Sequence, residues 1–318
     1  MLVKLFPWWF MRPMIGVISL IFINSNILVC GLAIHLVWLC QRLGLGSSDW
    51  ARHTLDTLYR GWVKACNWWF KNMLGMHWQL DAQIDKTPEK WRLVIANHQT
   101  WVDAFVLLAQ VQGHMPMPRI FMKDTLSWLP LVGSATKIMG FPQVKRYSQA
   151  TLKKRPELVG RDLETTRRSC FYLNQAPSTL MSFVEGTRFT ATKKAKQQSP
   201  YECLLKPKAG GVFMALRAMP GRFNSITDLN IIYPDGKPSY WDLVCGNVGR
   251  VEVRVREVPI PARFTHSAIA EDKADFYEWF NGYWQAKDRT LVADQLDCSI
   301  LEMSQKDPID RAIVSRMK

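Results

Sequence analysis

Acidic residues are scarce in this 318-residue chain: 27 Asp and Glu stand against 41 Lys and Arg, leaving a formal charge of +14. Such a surplus favours a polyanionic neighbour, either nucleic acid or anionic lipid. No basic recognition helix, zinc-ligand spacing or aromatic RNA-binding signature is present, so nucleic acid is not expected as a partner. The seven cysteines, Cys30, Cys40, Cys66, Cys170, Cys203, Cys245 and Cys298, are odd in number and form no C-x-x-C pair. That excludes a disulfide framework and a cysteine-based zinc site, and fits a reducing compartment. No G-x-S-x-G elbow marks a serine nucleophile. His35, His53, His77, His114 and His266 have no ligand spacing around them, so neither a metal nor another cofactor is expected. Internal repeats and low-complexity linkers are also missing.

The longest absence of charge is local. From Met14 to Cys40 there is no Lys, Arg, Asp or Glu. As one helix this stretch would extend about 40 Å, against a hydrocarbon thickness of roughly 30 Å. It exceeds a secretory h-region and lacks a small-residue cleavage site, so it reads as retained. Asn24-Ser25-Asn26 near its middle leaves two forms open: one spanning helix, or a re-entrant hairpin of two short helices. Arg42, Arg52, Arg60, Lys64 and Lys71 follow the segment, against Lys4 and Arg12 before it, which places the main domain on the cytoplasmic side. Fourteen tryptophans, many near the amino terminus, suit a membrane interface, so the basic surplus reads as affinity for phospholipid headgroups. Leu55, Leu58, Trp62, Cys66, Trp69 and Met73 recur at spacings of three and four; they predict an amphipathic helix, either interfacial or packed on a sheet.

From Trp91 onward apolar runs alternate with helix-like stretches. Strands are predicted at 91–96, 119–122, 141–144, 179–184 and 227–233, and helices at 101–112, 124–139, 158–174 and 209–219. This is the pattern of an α/β sheet with helices on its faces. Arg250 to Arg256 alternates strictly and adds a strand; Phe276, Trp279, Tyr283 and Lys287 predict a closing amphipathic helix, with 303–318 frayed. Two fragments follow strands. Asn97-His98-Gln99-Thr100-Trp101-Val102-Asp103 places an imidazole at a strand end and a carboxylate five positions later. A histidine can take a proton from an alcohol while a carboxylate on its other nitrogen fixes the tautomer. The second, Glu185-Gly186-Thr187-Arg188, offers a flexible glycine, a hydroxyl and a guanidinium, a set suited to phosphate. The basic stretch 145–168 reads either as a dock for headgroups or coenzyme A phosphates or as a solvated face.

His98-x-x-x-x-Asp103 followed by Glu185-Gly186-Thr187-Arg188 resembles the glycerolipid acyltransferase family, the PlsC-like enzymes that acylate lysophosphatidic acid. Met122 to Leu126, with Pro130, Gly133, Gly140, Val144 and Arg146, is similar to that family's second block. Leu204 to Gly211 and Leu229 to Pro234 are similar to its third and fourth regions. The chain departs from the pattern at Val184, usually proline, and at Gln143 and Lys145, usually phenylalanine and aspartate; the last two bear on the acceptor site.

The resemblance implies a glycerolipid acyltransferase-like α/β sheet flanked by helices, divided into a membrane anchor over 1–45, an amphipathic interfacial helix over 46–80, an acyltransferase domain over 81–265 and a helical extension over 266–318. It implies His98 as general base oriented by Asp103, with Arg146, Glu185, Gly186, Thr187 and Arg188 binding substrate. The co-substrate would be an acyl-CoA or acyl carrier protein thioester. The acceptor would be 1-acylglycerol-3-phosphate, with another lysophospholipid or a non-catalytic membrane scaffold as alternatives. The location would be a bacterial inner membrane.

Overall fold

A computed structural model describes residues 8–76, 78–80, 90–123, 128–144, 173–266 and 273–306, together with 87 and 170. Its strands are β1 (Trp78–Leu80), β2 (Arg92–Ala96), β3 (Pro118–Ile120), β4 (Met122–Lys123), β5 (Gln143–Val144), β6 (Thr179–Ser182), β7 (Ser225–Ile232) and β8 (Val251–Pro259). Six form one sheet in the order β1-β8-β7-β2-β6-β3, and β4 pairs with β5 separately. β2 lies at the centre and is buried at every position, as an unbroken apolar run in a parallel sheet must be. Its neighbours β6 and β7 both run parallel to it, with Leu93 opposite Leu180 on one side and Ile226 on the other. β8 turns antiparallel to β7, and β1 pairs parallel with β8 at the edge. The α/β sheet is thus mixed.

Successive β2 side chains point to opposite faces, so each face has its own core. Leu93 and Ile95 pack with Val212, Phe213 and Leu216 of α6 (Gly210–Ala218) and with Phe276, Phe280 and Trp284 of the closing helix Lys273–Lys306. Val94 and Ala96 pack with Val102, Val106 and Val111 of α3 (Val102–Val111), and beyond it with the amino-terminal helices. The intervening helices are α1 (Trp8–Arg42), α2 (Ser48–Trp68), α4 (Val132–Ile138), α5 (Ala191–Gln197), α7 (Tyr240–Val244) and α8 (Ala262–His266), which makes the closing helix α9.

Asn24-Ser25-Asn26 does not divide the apolar segment: α1 is continuous, and the chain reverses only after Arg42. Asn24 Nδ2 donates back to the Leu20 carbonyl, while Asn26 Nδ2 turns toward the Trp62 carbonyl of α2 at 3.4 Å. Both amides thereby find partners without breaking the helix. α1 is long and apolar enough to cross a membrane by length and composition. One flank, including Val17, Ile21, Leu28, Leu32 and Leu36, is exposed. The other lies along the rest of the protein almost from end to end. Arg12 donates to Asn247 at 2.9 Å, Trp69 to Ser19 at 3.0 Å, and the His35 Nε2 is 2.8 Å from the Ser134 hydroxyl. Two glycines permit this approach: a Cβ at Gly16 would stand 2.8 Å from Cys245 Sγ, and one at Gly31 would stand 2.6 Å from the Leu131 side chain.

The stripe on α2 faces the core rather than lying free. Leu55 and Cys66 are buried together with Tyr59 and Val63, and the Tyr59 hydroxyl donates to the Pro118 carbonyl of β3 at 2.9 Å. The predicted helix does not continue through 80. A π-type turn over Trp69–Met73 and Gly75, with φ +69°, end it, because only glycine takes that left-handed conformation without strain. Residues 78–80 then join the sheet as β1. Of the predicted helix 124–139, residues 132–138 form α4. The helix predicted at 158–174 and the basic stretch 145–168 lie wholly or almost wholly outside the described residues, and α9 continues through Lys306 into the stretch expected to fray.

Candidate active site

Because β7, β2 and β6 are adjacent and parallel, the segments that follow them emerge on one rim of the sheet, the usual place for a site in such a fold. They carry Tyr233, His98 and Glu185. Asn97 fastens two of these segments past the end of the ladder: its Oδ1 accepts from Ile231 N at 2.8 Å and its Nδ2 donates to Ile231 O at 3.0 Å.

His98 and Asp103 come together. The chain turns sharply after β2 and enters α3, which brings Asp103 in the first helical turn back to the imidazole. His98 Nδ1 stands 2.8 Å from Asp103 Oδ2. Asp103 is fully buried, and its Oδ2 also accepts from Gln99 N at 2.6 Å and Thr100 N at 3.0 Å. Its Oδ1 accepts the Tyr233 hydroxyl at 2.6 Å. Four donors converge on one buried carboxylate, which offsets the cost of burying it. Burial and then the Asp103 charge hold the Tyr233 phenol pKa well above its ordinary value, so it stays a donor. With Nδ1–H committed to Asp103, Nε2 carries the lone pair. The imidazole stacks on Phe183, centroids 4.3 Å apart, and its side chain keeps 18% of its surface exposed. That is the geometry of a base oriented from behind and open in front.

Glu185 takes a different place from the one the resemblance implies. It is fully buried; Oε1 accepts from His98 N at 2.8 Å and Oε2 from Leu205 N at 2.9 Å. Each oxygen is occupied by a backbone amide, so the carboxylate braces the His98 loop from beneath. Burial pushes its pKa up to about 7, against the lowering effect of the two amides and Lys287. Gly186 follows with φ +67°, a conformation that lets the turn reverse under His98. The Thr187 hydroxyl accepts from Lys193 Nζ at 2.8 Å, and Lys193 also donates to the Arg188 carbonyl at 2.9 Å. Arg188 extends its guanidinium over the Trp101 ring, 4.7 Å from the centroid; among the described residues this half-buried arginine on an exposed indole keeps free edges for an anion. Arg146 lies outside the described residues.

Sequence reasoning assigned no role to Asn97, Lys193, Tyr233 or Lys237. Tyr233 stands inside the apolar run Leu229 to Pro234, where only its hydroxyl distinguishes it from core. Lys237 places Nζ 4.4 Å above the Phe189 ring, whose own N–H donates to the His98 carbonyl at 2.7 Å. Among the described residues no cluster of His, Cys, Asp and Glu could hold a metal ion.

Residues 82–234 match the family model described as Acyltransferase. The chain is 25% identical over 260 residues to the 1-acyl-sn-glycerol-3-phosphate acyltransferase epsilon of Mus musculus, which covers 74% of this chain and 67% of that protein. It is 25% identical over 284 residues to the 1-acyl-sn-glycerol-3-phosphate acyltransferase 2 of Brassica oleracea, covering 83% and 66%. The chain therefore spans about two thirds of the length of these curated relatives. Its fold is similar to the crystal structure of the 1-acyl-sn-glycerophosphate acyltransferase PlsC from Thermotoga maritima, with a TM-score of 0.52 at 14% identity, covering 89% of this chain and 98% of that one.

Proposed function

We propose that this chain, which matches the acyltransferase family model over residues 82–234, moves a fatty acyl group from an acyl thioester to the sn-2 hydroxyl of 1-acylglycerol-3-phosphate, giving phosphatidic acid. The observation that carries this reading is the His98–Asp103 pair at 2.8 Å on the rim that also holds Arg188. The names of the relatives support the acceptor. A thioester is already activated, so the protein must deprotonate an alcohol and hold two substrates together. His98 Nε2 takes the hydroxyl proton as the oxygen attacks the thioester carbonyl. The C–S bond then breaks, and the leaving thiolate takes that proton from the imidazolium, which Asp103 stabilises meanwhile. Arg188 meets the acceptor phosphate through its free guanidinium edges. Arg146 is assigned to the same phosphate on the resemblance alone. The donor is acyl-CoA or acyl carrier protein.

The enzyme works at a membrane, with its catalytic domain on the cytoplasmic side of a bacterial inner membrane. Support comes from the exposed apolar flank of α1, the basic residues that follow it, and seven free thiols. Because the opposite flank of α1 is packed on the domain along its length, α1 enters the lipid side-on instead of crossing as an isolated helix.

The test is transfer by purified protein from labelled acyl-CoA, then from acyl carrier protein, to lysophosphatidic acid and to other lysophospholipids, beside a folded His98→Ala variant. Loss of general-base catalysis typically costs about 10² to 10⁴ in rate. Product from lysophosphatidic acid that disappears in the variant is the expected result. Product from another lysolipid alone would replace the acceptor, and transfer that survives His98→Ala would overturn the mechanism.

A further inference from the structure

The family match ends at residue 234, yet α9, some fifty residues further on, touches the loop that braces His98. Trp284 is fully buried, and its Nε1 donates to the Leu205 carbonyl at 3.0 Å. One helical turn later Asp288 accepts from Glu202 N at 2.6 Å and from Cys203 N at 2.8 Å. Residues four apart on a helix share a face, so both side chains grip the 202–205 segment from the same side. The helix is itself anchored to the sheet. Lys287 Nζ donates to Asp228 Oδ1, the Leu229 carbonyl and Asn230 Oδ1 of β7, and Arg256 of β8 meets Asp294 with two bonds of 2.6 and 2.9 Å. The Leu205 peptide therefore faces two ways: its carbonyl is held by α9, and its amide is held by Glu185, whose second oxygen holds the His98 amide.

We infer that α9 is an active-site positioning element, with Trp284 and Asp288 fixing the height of the His98 loop through the relay Leu205–Glu185–His98. Trp284 and Asp288 bond the backbone of the 202–205 segment and act on His98 through it. Their effect is on where the imidazole stands, and a sub-ångström misplacement of a base is felt in the chemical step more than in binding. The relay passes through backbone amides at both ends of Glu185, so it depends on peptide position rather than on side-chain identity at 205. It rests on the function proposed above only for its kinetic readout; the structural readout stands alone.

The experiment is Trp284→Phe, which keeps an aromatic ring in the core and removes the N–H donor, with Asp288→Asn as a second variant should the first fold poorly. Amide hydrogen exchange is read on peptides covering 97–99 and 204–206, with 93–95 of β2 as the internal control. Faster exchange at both remote sites, with β2 unchanged, is expected. In parallel, acyl transfer per folded protein should lose about five- to tenfold in kcat, the equivalent of one neutral hydrogen bond, while KM for donor and acceptor holds. Unchanged exchange at 97–99 overturns the inference whatever the activity. Absence of transfer in the unmodified protein would instead overturn the function and leave the exchange result to decide the relay. A loss shared uniformly by β2 would mark α9 as general core and also overturn it.

Discussion

Replacing Tyr233 with phenylalanine isolates one hydrogen bond at the back of the site. The ring is buried in the core that contains Leu229 and Ile231, so phenylalanine keeps its packing and only the hydroxyl is lost. That hydroxyl meets Asp103 Oδ1 at 2.6 Å, while Oδ2 holds His98, Gln99 and Thr100. A hydrogen bond to a charged, buried acceptor contributes about 1.5–3 kcal/mol, and leaving such an oxygen unsatisfied forfeits most of it. Stability should therefore drop by about 2 kcal/mol, which lowers Tm by roughly 3 °C in a protein of this size. If the imidazolium that forms in the transition state feels half or more of that change, kcat falls at least about fivefold. The phenol stays protonated across the working range, so the loss should be the same at pH 6.5 and pH 8.5. Thiol release from acyl-CoA per folded protein measures the rate, and a thermal scan in the same detergent measures stability. A variant within twofold in rate and 1 °C in Tm would refute the claim that Tyr233 orients Asp103, whatever His98→Ala does.

Three further outcomes are expected. Glu185 has its pKa raised to about 7 from an ordinary value near 4.3; between those values the folded state keeps a proton that the unfolded state has released. Stability should therefore fall by about 4 kcal/mol as pH rises through that window and level off above it; Glu185→Gln should flatten this slope in denaturant titrations, and a slope that persists would place the titration elsewhere. The groups facing Glu185 are Lys287, Asp103 and Lys237, so the control set is their single variants. Arg188→Gln should raise KM for a phosphate-bearing acceptor about tenfold with kcat little changed, and more so at low ionic strength; an unaltered KM would remove Arg188 from the phosphate site. Epitope tags at the amino terminus and in the 43–47 turn should be reached from the same side of sealed vesicles, whereas tags on opposite sides would mean that α1 crosses.

The sheet and its rim were legible because they rest on local signals. Fully apolar runs such as Leu93 to Ala96 announce a buried parallel strand, and polar residues directly after them announce a strand end. The His98–Asp103 pairing was readable because five residues are enough to close one turn of chain. What escaped needed long-range pairing. Tyr233 reaches Asp103 across 130 positions, and no spacing in the chain encodes that approach. Glu185 was assigned to substrate on the resemblance alone; its burial goes with two amides, 87 positions before it and 20 after. The strand at 78–80 was hidden behind the apolar periodicity of α2, which carries through Met73 although Gly75 ends it. The Asn24-Ser25-Asn26 cluster suggested a break that α2 removes by offering Asn26 an acceptor.

α1 also sets a schedule for biogenesis. It is made before the partners of its amino-terminal turns, Trp241, Cys245 and Asn247, which follow more than two hundred residues later. At about 5–20 residues per second that interval lasts on the order of 10–50 s. Throughout it, a long and largely apolar helix needs somewhere to wait. On the side-on placement proposed above, the bilayer is that host, and docking of the finished sheet draws one flank of the helix back out of lipid while the other stays behind. On that reading, docking of the sheet on α1 and attachment of the protein to the membrane are the same event.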